Sequence, residues 1–281
     1  MQKDIKKFQI KDINRQRHSF HLVDNSPWPF IGALGAFFLT SGVVTFSSYR
    51  ISGSTLLTLG FISILISMYK WWSDIIREGY SEGQHTLKVQ RGLRLGFILF
   101  VVSEVMFFFG FFWCFIDAGI KPSFSIGCSW PPSALGFVDP WNIPLANTCI
   151  LLASGGAITW SHHWLIEGNT RRASLGIALA IFLAIVFTSL QVYEYIYSTF
   201  SISDGIFSSA FFLATGFHGF HVFVGTCFLT VCFFRINLKH FSLLHHIGIE
   251  AAFWYWHFVD IVWLYLFLLV YWWPSPVSVH H

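Results

Sequence analysis

Charge is the scarcest property of this sequence. Only 11% of its 281 residues are Asp, Glu, Lys or Arg, against about 25% in a typical soluble domain. That excludes a water-soluble globule. The formal net charge of +3 is too small for a polyanion binder, so no nucleic-acid partner is expected. Cysteine is sparse and odd in number, with five residues, at 114, 128, 149, 227 and 232. Most lie in apolar runs, where they read as small core residues rather than a disulfide framework. Low-complexity tracts, internal repeats, a Gly-rich phosphate loop and a nucleophile triad are all missing from the sequence. No cleavable signal peptide is expected either, because residues 1–27 are polar and basic and carry no apolar core.

What the sequence has is apolar surface. Hydrophobic residues make up 54% of the chain and the mean hydropathy is +0.59. There are 33 Phe and 13 Trp, and Trp gathers near the ends of apolar segments, as an aromatic belt requires. Seven segments are long enough to cross a bilayer, which takes about 20 apolar residues. They cover residues 28–48, 54–72, 93–115, 143–165, 173–195, 206–234 and 247–273. Small residues in the first two favour close helix approach. Placing the connections alternately on two sides puts 15 of the 17 Lys and Arg on one side, leaving only Arg50 and Lys121 on the other. By the positive-inside rule the N-terminus is inside and the C-terminus outside. The expected fold is an all-α integral membrane protein of seven transmembrane helices, divided into a pair and a five-helix bundle. The expected organisation is a basic inner tail (1–27), a helix pair (28–72), a charged inner connection (73–92), the bundle (93–273) and a short outer tail (274–281).

Ionisable residues inside these spans are the candidate functional groups, since each costs at least roughly 2.5–3.5 kcal/mol to insert unless paired or near an interface. Glu104 lies nine residues from either end of the segment 95–113, about 14 Å from each edge at 1.5 Å per residue. Two readings stand: a proton-relay or ion site, or a carboxylic acid that ties two helices together. A relay needs a chain of partners, and this span supplies no second acid or His. In the last span, His257 and Asp260 are i,i+3 neighbours, and Glu250 lies two turns earlier on nearly the same stripe. Glu194 adds a further acid in the fifth span. His218 and His221 share one face of the sixth, which suits metal ligation or interhelical hydrogen bonding. The paired sets of His that hold two haems in a bundle are missing. The doublets His162–His163 and His245–His246 look like chelates but are not, because adjacent helical residues point about 100° apart. No metal site and no redox centre are expected in this chain. At the inner rim, the segments 71–86 and 235–246 combine Trp, Arg, Lys and His. They read as positive-inside anchoring or as an anionic-lipid site.

The motifs WWSDIIREG, SEVMFFFGFFW, NTCILLASGGAITWSHH, SISDGIFSSAFFLATGFHGFHV and GIEAAFWYWHFVDIVWLYLFLLVYWW strongly resemble subunit 3 of the haem–copper terminal oxidases, the cytochrome c oxidases. The resemblance runs from about residue 21 to residue 273. It implies seven helices, a pair and a five-helix bundle, with a lipid-filled cleft between. It implies a non-catalytic subunit beside oxidase subunits 1 and 2 and accessory subunits. Such a subunit supports assembly, lipid retention and proton uptake in an enzyme that oxidises cytochrome c, reduces oxygen to water and pumps protons. Haem and copper belong to the partner subunits; this chain binds neither, and its implied ligand is structural phospholipid. The family's membrane carboxyl maps onto Glu104, and its lipid-contacting positions onto Trp72, Arg77, Glu78, His85, Arg235 and His240. One departure is visible: where the family often has two adjacent His, this chain has Gln84–His85. The absence of a presequence and the abundance of Phe, whose codons are AT-rich, favour a mitochondrial inner-membrane protein over a bacterial plasma-membrane one. The alternative from a different class is a stand-alone proton-coupled transporter built on Glu104, Glu194, Glu250, His257 and Asp260. Such transporters often show inverted repeats and broken helices, neither of which the sequence displays.

Overall fold

A computed structural model describes residues 18–48, 52–132, 135–136, 138–241 and 245–275. The basic tail residues before His18 and the last residues of the C-terminal tail lie outside the described residues, as does Arg50, so the sidedness expected from them concerns the sequence only. Seven helices among the described residues are long and apolar enough to cross a membrane, and there is no strand among them. They are α1 (Trp28–Ser47), α2 (Ser52–Tyr80), α3 (Leu87–Ile120), α4 (Ile143–Ile166), α5 (Thr170–Ile196), α6 (Ile206–Asn237) and α7 (Ile247–Leu266), the last continued by a π-helical segment, Phe267–Trp272. In hydrocarbon only such helices satisfy every backbone donor and acceptor internally.

The helix count agrees with the seven apolar segments, but the ends differ. α2 runs on to Tyr80 and α3 already begins at Leu87. Most of the expected inner connection is therefore helical. Hydropathy marks where a helix leaves lipid, not where its hydrogen bonding stops. The extension of α2 is held by polar contacts: Asp74 accepts from the Trp28 indole at 2.6 Å and pairs with Arg77 at 3.4 Å. The chain then turns through Gly83, whose φ of +66° lies in the left-handed region that glycine adopts without strain. Thr86 Oγ1 accepts from the Val89 N–H at 3.4 Å and donates to the Ser19 carbonyl at 2.6 Å.

Two compact units divide the chain, Met1–Leu93 and Arg94–His281. In the first, α1 and α2 pack along most of their length with small residues between them. A Cβ on Gly42 would sit 2.6 Å from the Leu57 nitrogen, and one on Gly60 would strike the Leu39 backbone. Ser67 Oγ donates across the same seam to the Trp28 carbonyl at 2.8 Å. With lipid tails as apolar as the side chains, this close backbone approach supplies the cohesion that burial supplies in water.

The second unit is organised around α7. Buried residues make up 56% of its span, against 33–44% for the spans of α4, α5 and α6. Trp256 and Trp263 are fully enclosed, and each indole N–H is satisfied on α4: Trp256 donates to Ser154 Oγ and Trp263 to Thr148 Oγ1, both at 2.9 Å. Phe108 and Phe115 of α3, Phe187 of α5 and Tyr271 fill the remaining interior. The last helix thus packs against protein rather than only against lipid.

The seam of the first unit yields one expected outcome. Gly42→Ala forces α1 away from α2 and costs about 1–3 kcal/mol, as overpacking does. The thermal midpoint of the purified protein in detergent should fall, and an unchanged midpoint would show that the seam has slack.

Candidate functional site

Glu104 has a partner that its own helix could not reveal. His221 of α6 places Nε2 2.8 Å from Glu104 Oε2. The imidazole is nearly buried, and its Nδ1 lies 2.7 Å from the Phe217 carbonyl. A carbonyl only accepts, so Nδ1 carries a hydrogen. The Nε2–Oε2 contact then needs one proton between the two groups, on the acid or on the ring. Either way the pair has no net charge, which suits a group enclosed by Phe107 and Phe108, both in ring contact with His221. The arrangement ties α3 to α6.

His218, one turn before His221, faces elsewhere. Its Nε2 lies 3.2 Å from the Val259 carbonyl of α7, and its ring sits between Phe187 and Trp263. The two His of the shared face thus serve two different interhelical contacts, and they do not converge on a ligand.

Glu194 is buried at the outer end of α5 by the expected topology. Its Oε1 accepts from Tyr271 Oη at 2.7 Å and from Gln191 Nε2 at 3.1 Å. Gln191 Oε1 accepts in turn from Asn147 Nδ2 at 3.4 Å. This network joins α4, α5 and the π-helical segment. Neither Gln191 nor Tyr271 stood out in the sequence, since each is one polar residue in an apolar run.

The polar stripe of α7 splits into two sites. His257 Nδ1 and Asp260 Oδ2 lie 3.7 Å apart, and Thr159 Oγ1 is 3.4 Å from His257 Nε2. Asp260 lies so close to α4 that a Cβ on Gly155 would collide with its carboxylate. Glu250 belongs to the other end. Its Oε2 accepts from Arg94 Nε of α3 at 2.9 Å, and its Oε1 lies 3.2 Å from His246 Nε2. Arg94 reads in the sequence as a positive-inside anchor; in the fold it neutralises an acid 156 positions away.

The positions taken as lipid-contacting fall in both units: Trp72, Arg77, Glu78 and His85 in the first, Arg235 and His240 in the second. Trp72 is exposed. Arg77 pairs with Asp74 and with Glu82 at 3.2 Å while remaining largely exposed. Glu78 and His85 converge with His21, each offering a ligand atom within 4.8 Å of the others. Arg235 stacks over the Phe241 ring at 4.3 Å and lies against Gly248. Its Nε is buried with no hydrogen-bond partner among the described residues. The His240 N–H donates to the Arg235 carbonyl at 3.0 Å.

The pair on α3 and α6 makes a graded prediction. Glu104→Gln keeps a donor toward His221 and should accumulate near the parental level. His221→Phe leaves the acid alone among Phe side chains and should cost about 3 kcal/mol, the lower end for a buried pair that loses one member. Glu104→Lys sets two basic groups together and should abolish accumulation. Immunoblots of membrane fractions read all three, and parental levels of Glu104→Lys would remove the pair from the account of stability.

Comparison with known proteins matches the chain over nearly its whole length. The family model described as cytochrome c oxidase subunit III matches residues 18–275. Cytochrome c oxidase subunit 3 of the wheat Triticum aestivum is 55% identical over 261 residues, covering 93% of this chain and 98% of its own. The proteins of that name from the alga Pylaiella littoralis and the carp Cyprinus carpio are 53% and 50% identical over 264 and 260 residues, covering 94% and 92% of this chain and 97% and 99% of their own. The chain belongs to the cytochrome c oxidase subunit III family.

Proposed function

We propose that this chain is the non-catalytic core subunit of cytochrome c oxidase, in the inner mitochondrial membrane, beside the subunits that hold haem and copper. Family membership across residues 18–275 carries the reading. The chemistry of the intramembrane acids supports it. Glu104, Glu194 and Glu250 each engage a group on another element of the bundle, namely His221, Tyr271 and Arg94. Such groups hold helices together. A transporter instead needs acids that exchange partners during turnover, and nothing in the comparisons favours that reading.

The role of such a subunit is mechanical and lipid-directed. Trp72, Arg77, Glu78, His85, Arg235 and His240 are read as contacts for structural phospholipid. The strongest of them is Arg235. Its guanidinium is planar and offers several donors, so it can grip a phosphate through two of them. Its Nε is enclosed and unpartnered among the described residues, and its guanidinium is stacked on the Phe241 ring.

Purification in mild detergent tests the assignment. The chain should co-purify with haem absorbance as one large coloured complex, and the separated chain should hold neither haem nor copper. A colourless, active single species would return the transporter reading. Within the complex, Arg235→Ala should release phospholipid and shorten the working lifetime, while the initial rate of cytochrome c oxidation stays near the parental value. Lipid mass spectrometry and progress curves read the two effects. A variant with its full lipid complement and lifetime would reduce Arg235 to an interfacial anchor.

A further inference from the structure

The His doublets form no chelate singly, yet the fold takes one member from each. His162 near the end of α4, His246 at the N-cap of α7 and Glu250 in the first turn of α7 each offer a ligand atom, and these atoms lie within 4.8 Å of one another. The other members point away, with His163 pairing with Glu167 at 2.9 Å and His245 exposed.

The geometry points to a divalent-cation site, of the zinc class, formed by His162, His246 and Glu250. Two imidazoles and one carboxylate are a borderline donor set that suits zinc, with the fourth position open to water. Zinc bonds of roughly 2.0–2.2 Å in a tetrahedron set neighbouring ligand atoms roughly 3.3 Å apart. His246 Nε2 and Glu250 Oε1 already stand 3.2 Å apart. His162 has to approach by roughly 1.5 Å at most to complete the set.

Two observations separate this from a plain His–Glu hydrogen bond. The first is His162 itself. Its Nε2 is buried with no hydrogen-bond partner among the described residues, although its ring lies only 6.3 Å from that of His246. A buried ring nitrogen without a partner costs free energy unless something binds it. Phe253 packs edge-on against the ring at 5.6 Å and holds its orientation. The second is Arg94. It occupies Glu250 Oε2 at 2.9 Å and so leaves Oε1 to face the two imidazoles. Ligating carboxylates in metal sites are themselves hydrogen-bonded from behind, and Arg94 Nε supplies that bond. The cation would clamp α4 to α7 at the end of the bundle where α3 brings in Arg94. No electron transfer is involved, so the site is compatible with a subunit that carries no redox centre.

The test uses the intact oxidase, washed with chelator, soaked in zinc chloride and freed of excess metal. Diffraction data collected across the zinc absorption edge should show an anomalous peak bounded by His162, His246 and Glu250. Elemental analysis should show one zinc fewer per complex in His162→Asn, while His163→Asn on the neighbouring exposed residue keeps the parental count. Haem absorbance per chain confirms assembly of both variants. The proposal is overturned if the parental crystals show no peak between the three side chains, or if an assembled His162→Asn complex retains the parental zinc count.

Discussion

A hydrocarbon surround offers no hydrogen bonds, and this constraint shapes the whole molecule. Any polar group that enters must find its partner within the protein. Backbone groups do so within each helix. Side chains do so on their own helix, as Thr226 does with the Val222 carbonyl, or between helices, and several large polar side chains of the second unit take the second course. The indoles of Trp256 and Trp263 reach Ser154 and Thr148, and Tyr271 reaches Glu194. His218 reaches the Val259 carbonyl and His221 reaches Glu104. Each contact fixes the rotation and height of one helix against another. Dispersion packing alone is tolerant of sliding; a donor that must meet one acceptor is not.

The spans themselves were legible because hydropathy is a one-dimensional property. Seven apolar segments correspond to seven membrane-length helices among the described residues. Helix ends were less legible. Trp72 closes the apolar part of α2, yet Asp74, Arg77 and Glu78 continue it to Tyr80, because leaving lipid does not break a helix and no Pro or early Gly intervenes. Local pairs were legible as well: His257 and Asp260 follow from i,i+3 spacing. Partners distant in sequence were not. Glu104 and His221 are 117 positions apart, and nothing in the third span names the sixth as its neighbour. Glu250 seemed to share a stripe with His257 and Asp260, but two turns of helix carry it to another end of the bundle, where Arg94 meets it.

The His doublets show how a correct local rule stops short. Two adjacent helical residues diverge, so His162–His163 cannot grip one ion, and His245–His246 lies just before α7 with His245 exposed and His246 buried. Divergence also means that each doublet addresses two directions. One direction is outward, as His163 shows with Glu167; the other turns His162 toward His246. Single-helix geometry decides what a motif cannot do alone. What it does in company depends on which helices the fold sets side by side, and that information lies in packing.

A non-catalytic subunit of an oxidase needs a fixed surface, and the charge state of its interior bears on that. The Glu104–His221 pair shares one proton between an acid and a base, so it is neutral whichever group holds it. Glu250 and Arg94 cancel each other. Neutral pairs escape most of the cost of an isolated charge in hydrocarbon, and a pair whose geometry is good has little reason to exchange partners. Their contribution is specificity of helix register more than net stability. Replacing such a pair by two apolar residues of similar volume would keep a bundle, but would release α3 from its fixed height against α6. On the proposed role, in which the chain holds partner subunits and lipid in place, loss of register is the more damaging of the two.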